Sequence, residues 1–534
     1  MINKIDYKEH DWLQRAWGFD FEVTKEDWIL CAKNFYTGEK FYAHNDNDKV
    51  KSFIQTIDPL LIGFNNKHYD NYILKGILND LPPVYIKDIN DFIIRDEQGG
   101  WEYPFEDPWV NIGYTCDLML DTLGVGLKKI EGYLRTNIKE SDVSFDIDRA
   151  LTAEEVEEMT FYCWHDVEVL EDIISLRMTY LESKRMIAEM CDMSPDKALN
   201  YTNAQLTARA LKAVKLEHND TFKYVIPDTI RQDIMPDCVM DYIHRFQVGG
   251  LRDKETIDFD LKGCIITMGQ GGNHGAKKNY QETASETRYI WNVDATSYYP
   301  STMVVYGYLS RNVPDSQLFV DVLEKRKRYK ALINTGKTEA IKKEAKRKAD
   351  ALKLIVNTTY GASNQKFNDL YDPLQAFSTC FTGQLMLIQL MYELTGIHSV
   401  ELIQSNTDGI MFSFDKADEP KIHPILKEWE DTMGIGLEID KIKKVVQKDV
   451  NNYVMIKDNG KIKAKGGYVS NYNGGSMKSY NYPIVDKAIV NYLLFDTPVE
   501  KTINECNDIF LFQQAAGRGK TYQKTVWYTD LNKK

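Results

Sequence analysis

Apolar and polar positions follow two periods along this chain, and the switches between them outline its elements. Phe19-Asp20-Phe21-Glu22-Val23 alternates, which predicts a strand with both acids on one face. Leu61-Ile62-Gly63-Phe64 is a short apolar run followed by a polar turn, with Asp70 opening a helix. Phe161 to Val167 reads as helix, where Tyr162 and Asp166 share a face. Residues 185 to 245 show helical periodicity, as in Ala204 to Leu211, and predict a helical connector. An apolar β-like run from Trp291 ends at Asp294 and passes into a Ser297-Tyr298-Tyr299-Pro300 turn. Two antiparallel helices are expected from Asp315 to Tyr360, broken near Asn334-Thr335-Gly336. A long helix follows from Asp372-Pro373 to Gly396. Ile403 to Phe412 predicts two short strands with Asp408 at the tip of their turn, and Asn452 to Gly466 a hairpin turning at Asn459-Gly460.

Composition narrows the picture. A chain of 534 residues, 43% hydrophobic, is too long for one core and suits three or four units. No apolar run approaches the ~18 residues of a membrane span. The polar start, Met1-Ile2-Asn3-Lys4-Ile5-Asp6, does not resemble a signal peptide. Eight scattered cysteines without a Cys-x-x-Cys pair read as reduced thiols of a cytoplasmic protein. The net charge of −13 argues against nucleic-acid binding only superficially, because local charge decides such contacts. Glu324 to Lys353 holds twelve Lys/Arg against four Asp/Glu, and Asp440 to Lys465 eight Lys against three Asp.

The candidate chemistry lies beside these basic runs. Asp294 at a strand end can hold a divalent metal, and the turn behind it offers backbone N–H groups and an aromatic ring to a nucleoside triphosphate. Lys353, Asn357 and Tyr360 share a helix face, with the lysine a point charge for phosphate. Asp408 supplies a second carboxylate. With these three motifs in order, the chain resembles the family B DNA polymerases, most closely the compact bacteriophage type. Asp294 to Ser301 matches Asp-x-x-Ser-x-Tyr-Pro-Ser, Lys353 to Gly361 matches Lys-x-x-x-Asn-x-x-Tyr-Gly, and Asn406-Thr407-Asp408-Gly409 matches Asp-Thr-Asp-Ser in part. The resemblance implies that Asp294 and Asp408 hold two Mg²⁺ or Mn²⁺ ions. It assigns Arg326, Lys330, Lys353, Asn357, Tyr360, Tyr299 and Ser297 to the dNTP, with Tyr299 under the sugar and Tyr360 beneath the nascent base pair.

The N-terminal part carries its own carboxylates. Asp20, Glu22, Asp70 and Asp166, with Tyr162, come from three elements and can bind two Mg²⁺ or Mn²⁺ and orient a water. They resemble the 3′→5′ proofreading exonuclease domain of the same family, whose motifs match Asp20/Glu22, Asn65/Tyr69/Asp70 and Tyr162/Asp166. That implies that Tyr162 positions the water and Asn65 contacts a frayed single-stranded 3′ end. Lys128 or Lys129 is the expected assisting lysine.

The resemblance extends to a multi-domain α/β fold, an RNase H-like DEDD exonuclease followed by a right-hand polymerase. The expected units are an exonuclease over 1–185, a connector over 186–245, a palm over 246–314 and 361–466, fingers over 315–360, and a small thumb over 467–534. Gly249 and Gly250 resemble a template-tracking segment, and Tyr453, Lys463 and Lys465 a primer-holding strand pair. The implied partners are primer–template DNA, a single-stranded 3′ end and dNTPs, bound by a monomer without a membrane. Three departures stand out. Asn406 replaces the leading Asp of the third motif, Asn451-Asn452-Tyr453 lacks the lysine of the primer motif, and the chain ends soon after an expected strand, as a short thumb would. Two rivals follow: a 3′→5′ exonuclease with a degenerate polymerase half, and a non-enzymatic DNA-binding scaffold. The 59 residues from Asp294 to Lys353 leave no room for the insertion of protein-primed phage enzymes, which favours a nucleic-acid primer.

Overall fold

The computed structural model describes residues 4–121, 125–134, 136, 138–472 and 482–513. A first sheet holds β1 (Ala16–Val23), β2 (Trp28–Asn34), β3 (Lys40–His44), β4 (Leu60–Gly63) and β5 (Tyr114–Asp117), in the order β3-β2-β1-β4-β5. β1 is antiparallel to β2 and parallel to β4. Its alternation sends Trp17, Phe19, Phe21 and Val23 into a core with α1 (Asn47–Ile57), α2 (Asp70–Leu78) and α3 (Pro83–Ile94). The opposite face packs on α4 (Leu127–Leu134) and on α5 (Ala153–Met190).

α5 has 38 residues, hence a length of about 57 Å. It opens with a reciprocal cap: the Glu155 N–H donates to Thr152 Oγ1 (3.3 Å), and the Thr152 N–H donates to Glu155 Oε2 (2.8 Å). Its first half lies on the sheet and its second half reaches α6 (Pro195–Ala198) and α7 (Asn203–Ala210).

The connector departs from expectation. Between α7 and α8 (Asp237–Gln247) the chain forms no α-helix. Pro227 and Pro236 interrupt it, and its apolar side chains are isolated anchors, not a stripe. Tyr224, Ile230 and Met235 are each buried in the central core. The Tyr224 hydroxyl bonds Thr382 Oγ1 at 3.0 Å, and the Arg231 N–H donates to Gln389 Oε1 at 3.0 Å.

The second sheet has ten strands: β6 (Ile257–Leu261), β7 (Cys264–Gly269), β8 (Gly272–Ala276), β9 (Tyr280–Thr283) and β10 (Arg288–Ala295), then β11 (Glu401–Ser405), β12 (Gly409–Asp415), β13 (Leu437–Asp449), β14 (Asn452–Lys457) and β15 (Ile462–Lys465). Nine follow the order β15-β14-β13-β10-β12-β11-β8-β7-β6, and β9 pairs with β13. After β10 come α9 (Tyr298–Val305), then α10 (Gln317–Thr335) and α11 (Glu339–Ser363), two helices packed on each other across a break at residues 336–338. α12 (Pro373–Thr395) is apolar nearly all round and correspondingly buried along most of its length. α13 (Glu419–Met433) adds Trp429, whose indole N–H donates to the Met386 carbonyl at 2.9 Å. α14 (Pro483–Phe495) packs on β14 through Val490 and Leu494, and α15 (Val499–Asn504) follows. The expected C-terminal strand lies outside the described residues. No described helix is long and apolar enough to cross a membrane.

One ion-pair network fixes how α12 enters the core. Asp372, fully buried at its N-terminus, accepts from the Arg311 backbone N–H (2.9 Å), Nε (2.9 Å) and Nη2 (2.7 Å). Arg311 also grips Asp220 at 2.7 and 3.0 Å. Burial alone would raise the Asp372 carboxyl, but the Arg311 bonds outweigh it and hold it below the ordinary range. Arg311→Ala strands a buried charge and is expected to lower the unfolding free energy by about 3 kcal/mol in urea titration. Because the folded-state value is depressed, this contribution is full above the unfolded carboxyl value and fades as pH falls through the folded one. A variant as stable as the parent at neutral pH would show that the network is not structural.

Candidate functional site

Two groups of acids stand out, one on each sheet. In the first, β1 presents Asp20 and Glu22 on the face covered by α5, and α5 returns Asp166 and Tyr162. Asp70 opens α2 just after β4 and is 3% exposed. Asn65 precedes it in a left-handed conformation (φ 63°), and its N–H donates to Asp117 Oδ1 at 2.9 Å.

The electrostatics are those of like charges withdrawn from solvent. Burial, then Glu22, Asp70 and Asp166, push the Asp20 carboxyl well above its ordinary value. Burial and its acidic neighbours do the same to Glu22. Asp70 is pushed up to about 7, chiefly by burial, against opposing bonds from its own and the Phe21 N–H groups. Asp166 is raised by burial despite the Lys128 ammonium beside it, and burial raises the Tyr162 phenol.

Such a group can be relieved by protons or by cations. Asp20, Glu22 and Cys163 place one ligand atom each within 4.8 Å of one another, and so do Glu131, His165 and Asp166. Burial raises the Cys163 thiol, and its Sγ donates to the Asp20 carbonyl at 3.3 Å. The thiol is therefore protonated, and the useful donors of the first set are hard carboxylate oxygens. Asp70 Oδ1 is buried without a hydrogen-bond partner, an acceptor that a cation would satisfy. The residues present thus fit an oxygen-ligated divalent ion.

Lys128, not Lys129, meets this cluster. Its Nζ pairs with Asp166 and with Glu131 (3.2 Å) and lies 4.6 Å from the Tyr162 ring centroid. Glu131 and His165 carried no signal in the sequence, since nothing local links α4 to α5.

In the second group, β10 pairs with β12 so that Asp294 lies opposite Gly409. The Ala295 N–H donates to the Asp408 carbonyl at 2.7 Å, which locks the two acidic segments together. A Cβ on Gly409 would lie 2.1 Å from Asp294 Oδ1, so only glycine admits this approach. Asn292 Nδ2 donates to Asp294 Oδ2 at 2.7 Å. Burial, then Asp408, raise the Asp294 carboxyl, while Lys463 opposes them. Asn406 closes the turn through its N–H to the Gly409 carbonyl at 2.8 Å.

The helical hairpin stands over this site. Arg326 Nη1 donates to Ser297 Oγ at 3.1 Å, and Ser297 itself is left-handed (φ 48°). Lys330 is largely exposed and lies 3.7 Å from Glu438, a pair worth little. Lys353 and Asn357 are exposed on α11, and Tyr360 packs on Tyr299 with ring centroids 4.4 Å apart. A Cβ on Gly383 would sit 2.9 Å from the Tyr299 ring, so α12 keeps a glycine there.

The hairpin of β14 and β15 brings Lys463 and Lys465 in from the other side, each ammonium 5.9 Å from the Tyr453 ring, which is 4% exposed. Gly249 and Gly250 lie in the turn after α8, Gly249 beside Phe222 and Gly250 against the Arg245 carbonyl. His274 on β8 was not anticipated. Its Nε2 lies 3.0 Å from Thr407 Oγ1, and burial, then Lys465, lower its ring. Gly269, Gly271, Gly272 and Gly275 flank it in the sequence, and such a glycine run is the local signal of close backbone approach there.

No protein-family model and no curated protein matches this chain. Among solved structures it matches the family B DNA polymerase from the hyperthermophilic archaeon Pyrobaculum calidifontis, 13% identical, with a TM-score of 0.47. The match covers 92% of this chain and 64% of that one, so the chain spans about two thirds of that polymerase's length. The likeness is a distant structural one.

The raised carboxyls set a pH dependence. A carboxyl with a raised folded-state value holds its proton more tightly folded than unfolded, so it favours the cation-free protein at low pH. That contribution is lost as pH rises toward 7, the value for Asp70. A cation must displace this proton. Mn²⁺ is therefore expected to raise the melting temperature more at about pH 8 than at about pH 5.5. Asp70→Asn should stabilise the cation-free protein at the higher pH and shrink the Mn²⁺ shift. Equal Mn²⁺ shifts at both pH values would exclude this cluster as the binding site.

Proposed function

We propose that this protein is a DNA-directed DNA polymerase of the compact phage family B type, with 3′→5′ proofreading. The single observation that carries the reading is the juxtaposition of Asp294 and Asp408, locked across β10 and β12 between Arg326 and Ser297 on one side and Lys463 on the other. Two carboxylates at adjoining strand ends, with cations on both flanks, suit a triphosphate meeting a primer end.

In this reading two Mg²⁺ or Mn²⁺ ions per site, when bound, supply Lewis-acid activation and charge stabilisation. Asp294 and Asp408 hold them. Arg326, Lys330 and Lys353 neutralise the triphosphate, and Ser297 keeps Arg326 aimed at it. The Tyr299–Tyr360 pair forms the floor for the sugar and base of the incoming dNTP. Asn357 lies on the same α11 face as Lys353. Lys463 and Lys465, with Tyr453 behind them, hold primer backbone phosphates, and Gly249 and Gly250 admit template backbone. These contacts ignore sequence, as copying any template requires.

At the first cluster Asp20, Glu22, Asp70 and Asp166 form the hydrolytic site. Tyr162 orients the attacking water and Asn65 steadies the single-stranded 3′ end. In this reading the units are an exonuclease over 1–185, a connector over 186–245, a palm over 246–314 and 361–466, fingers over 315–360 and a small thumb over 467–534.

One observation favours a second reading. Lys463 lies over Tyr453 and feels the charge of both aspartates without pairing to either, and Asn406 removes a further carboxylate from the same turn. An ammonium there competes with a divalent ion, so synthesis could be silent and the protein a 3′→5′ exonuclease alone.

Extension of a labelled primer–template with Mg²⁺ and dNTPs separates them. Asp408→Ala or Asp294→Asn should reduce extension by at least about a thousandfold (~4 kcal/mol) and leave shortening intact. Asp20→Ala should do the reverse. Shortening without extension in the parent protein, with Mg²⁺ and with Mn²⁺, would replace the first reading by the second.

A further inference from the structure

Glu131 is a fully buried carboxylate within reach of a cluster that already holds too many. Its environment is specific. One oxygen lies 3.2 Å from Lys128 Nζ, three residues earlier on α4, and the other accepts from His165 Nε2 at 2.9 Å. Lys128 in turn pairs with Asp166 and sits over the Tyr162 ring. The chain Glu131–Lys128–Asp166 thus runs from the protein interior to the edge of the four acids.

Charge explains why such a residue is needed. Asp20, Glu22, Asp70 and Asp166 carry four negative charges when ionised, which two divalent ions balance. A lone ammonium beside them would repel those ions and compete for Asp166. It would also be free to swing away, since lysine has a flexible four-carbon stem. A second carboxylate, buried and fixed by His165, removes both problems.

We propose that Glu131 is a positioning residue, holding Lys128 as a neutral pair at the edge of the cluster. Lys128 can then stay beside bound divalent cations and a phosphodiester without displacing the cations from Asp166. The proposal rests on the reading of this cluster as a divalent-cation exonuclease site. It makes Glu131 felt only through Lys128.

The test uses full-length protein with Asp294→Asn and Asp408→Asn, so that Mn²⁺ binding reports the N-terminal cluster. Free Mn²⁺ is followed by electron paramagnetic resonance during titration, with Glu131→Gln, Lys128→Met and the double variant compared. Glu131→Gln should weaken Mn²⁺ binding about tenfold while Lys128 is present, and leave it unchanged in the Lys128→Met protein. Shortening of single-stranded DNA should need correspondingly more Mn²⁺ in Glu131→Gln alone. Equal weakening in both backgrounds would mean a merely structural glutamate and overturn the proposal, as would unchanged affinity. A protein that binds Mn²⁺ but never shortens DNA would remove the exonuclease reading, and the affinity comparison would still decide the role of Glu131. Absence of Mn²⁺ binding in the parent would overturn both. Thermal unfolding without Mn²⁺ checks that Glu131→Gln is folded, which its matching shape favours.

Discussion

Carboxylates gathered at one place, where burial and then mutual repulsion disfavour their charged forms, are the constraint on which much of this architecture turns. Each sheet delivers acids to one place from elements that otherwise pack through apolar faces. Phe19 and Phe21 are buried on one side of β1, which leaves Asp20 and Glu22 no choice but the other. Trp291 and Val293 do the same for Asp294 on β10. The apolar core therefore supplies the energy that holds like charges together, at roughly 25 cal/mol per Å² of buried surface. Burial, with the neighbouring acids, raises these carboxyls, so their charged forms are disfavoured in the cation-free protein.

Long helices connect the two clusters. α5 carries Tyr162 and Asp166 near its start and Glu182 farther along, where Glu182 meets His10 at 2.6 Å and Arg347 of α11 at 3.3 Å. α11 continues from Arg347 to Lys353, Asn357 and Tyr360. α12, anchored by Arg311 and Asp372, lines the other side of the central core and offers Gly383 to Tyr299. The first cluster thus takes Asp20 and Glu22 from a strand and Asp70 and Asp166 from helices, and the second takes Asp294 from a strand and Asp408 from the turn before β12.

Several local departures from simple rules sit at these places. Ser297 and Asn65 adopt positive φ without being glycine, and Gly409 admits an approach no side chain would allow. Such strain persists where the surroundings over-determine it. The connector shows the opposite: periodicity there predicted helix throughout, and α7 and α8 form, but between them Pro227 and Pro236 interrupt the chain and Tyr224 and Arg231 tie it to α12.

What the sequence determined by itself is what local geometry dictates. A period of two puts Asp20 and Glu22 on one face, a spacing of four puts Tyr162 with Asp166, and an apolar–turn–apolar run puts Asp408 at a tip. Those relations hold in any strand, helix or hairpin, whatever packs against it. The tertiary structure alone decided which distant segments meet. It chose Lys128 over Lys129, set Glu131 against His165, and brought His274 and Lys463 to the Asp408 turn. These neighbours lie on separate elements, and no periodicity within one segment records the packing that joins them.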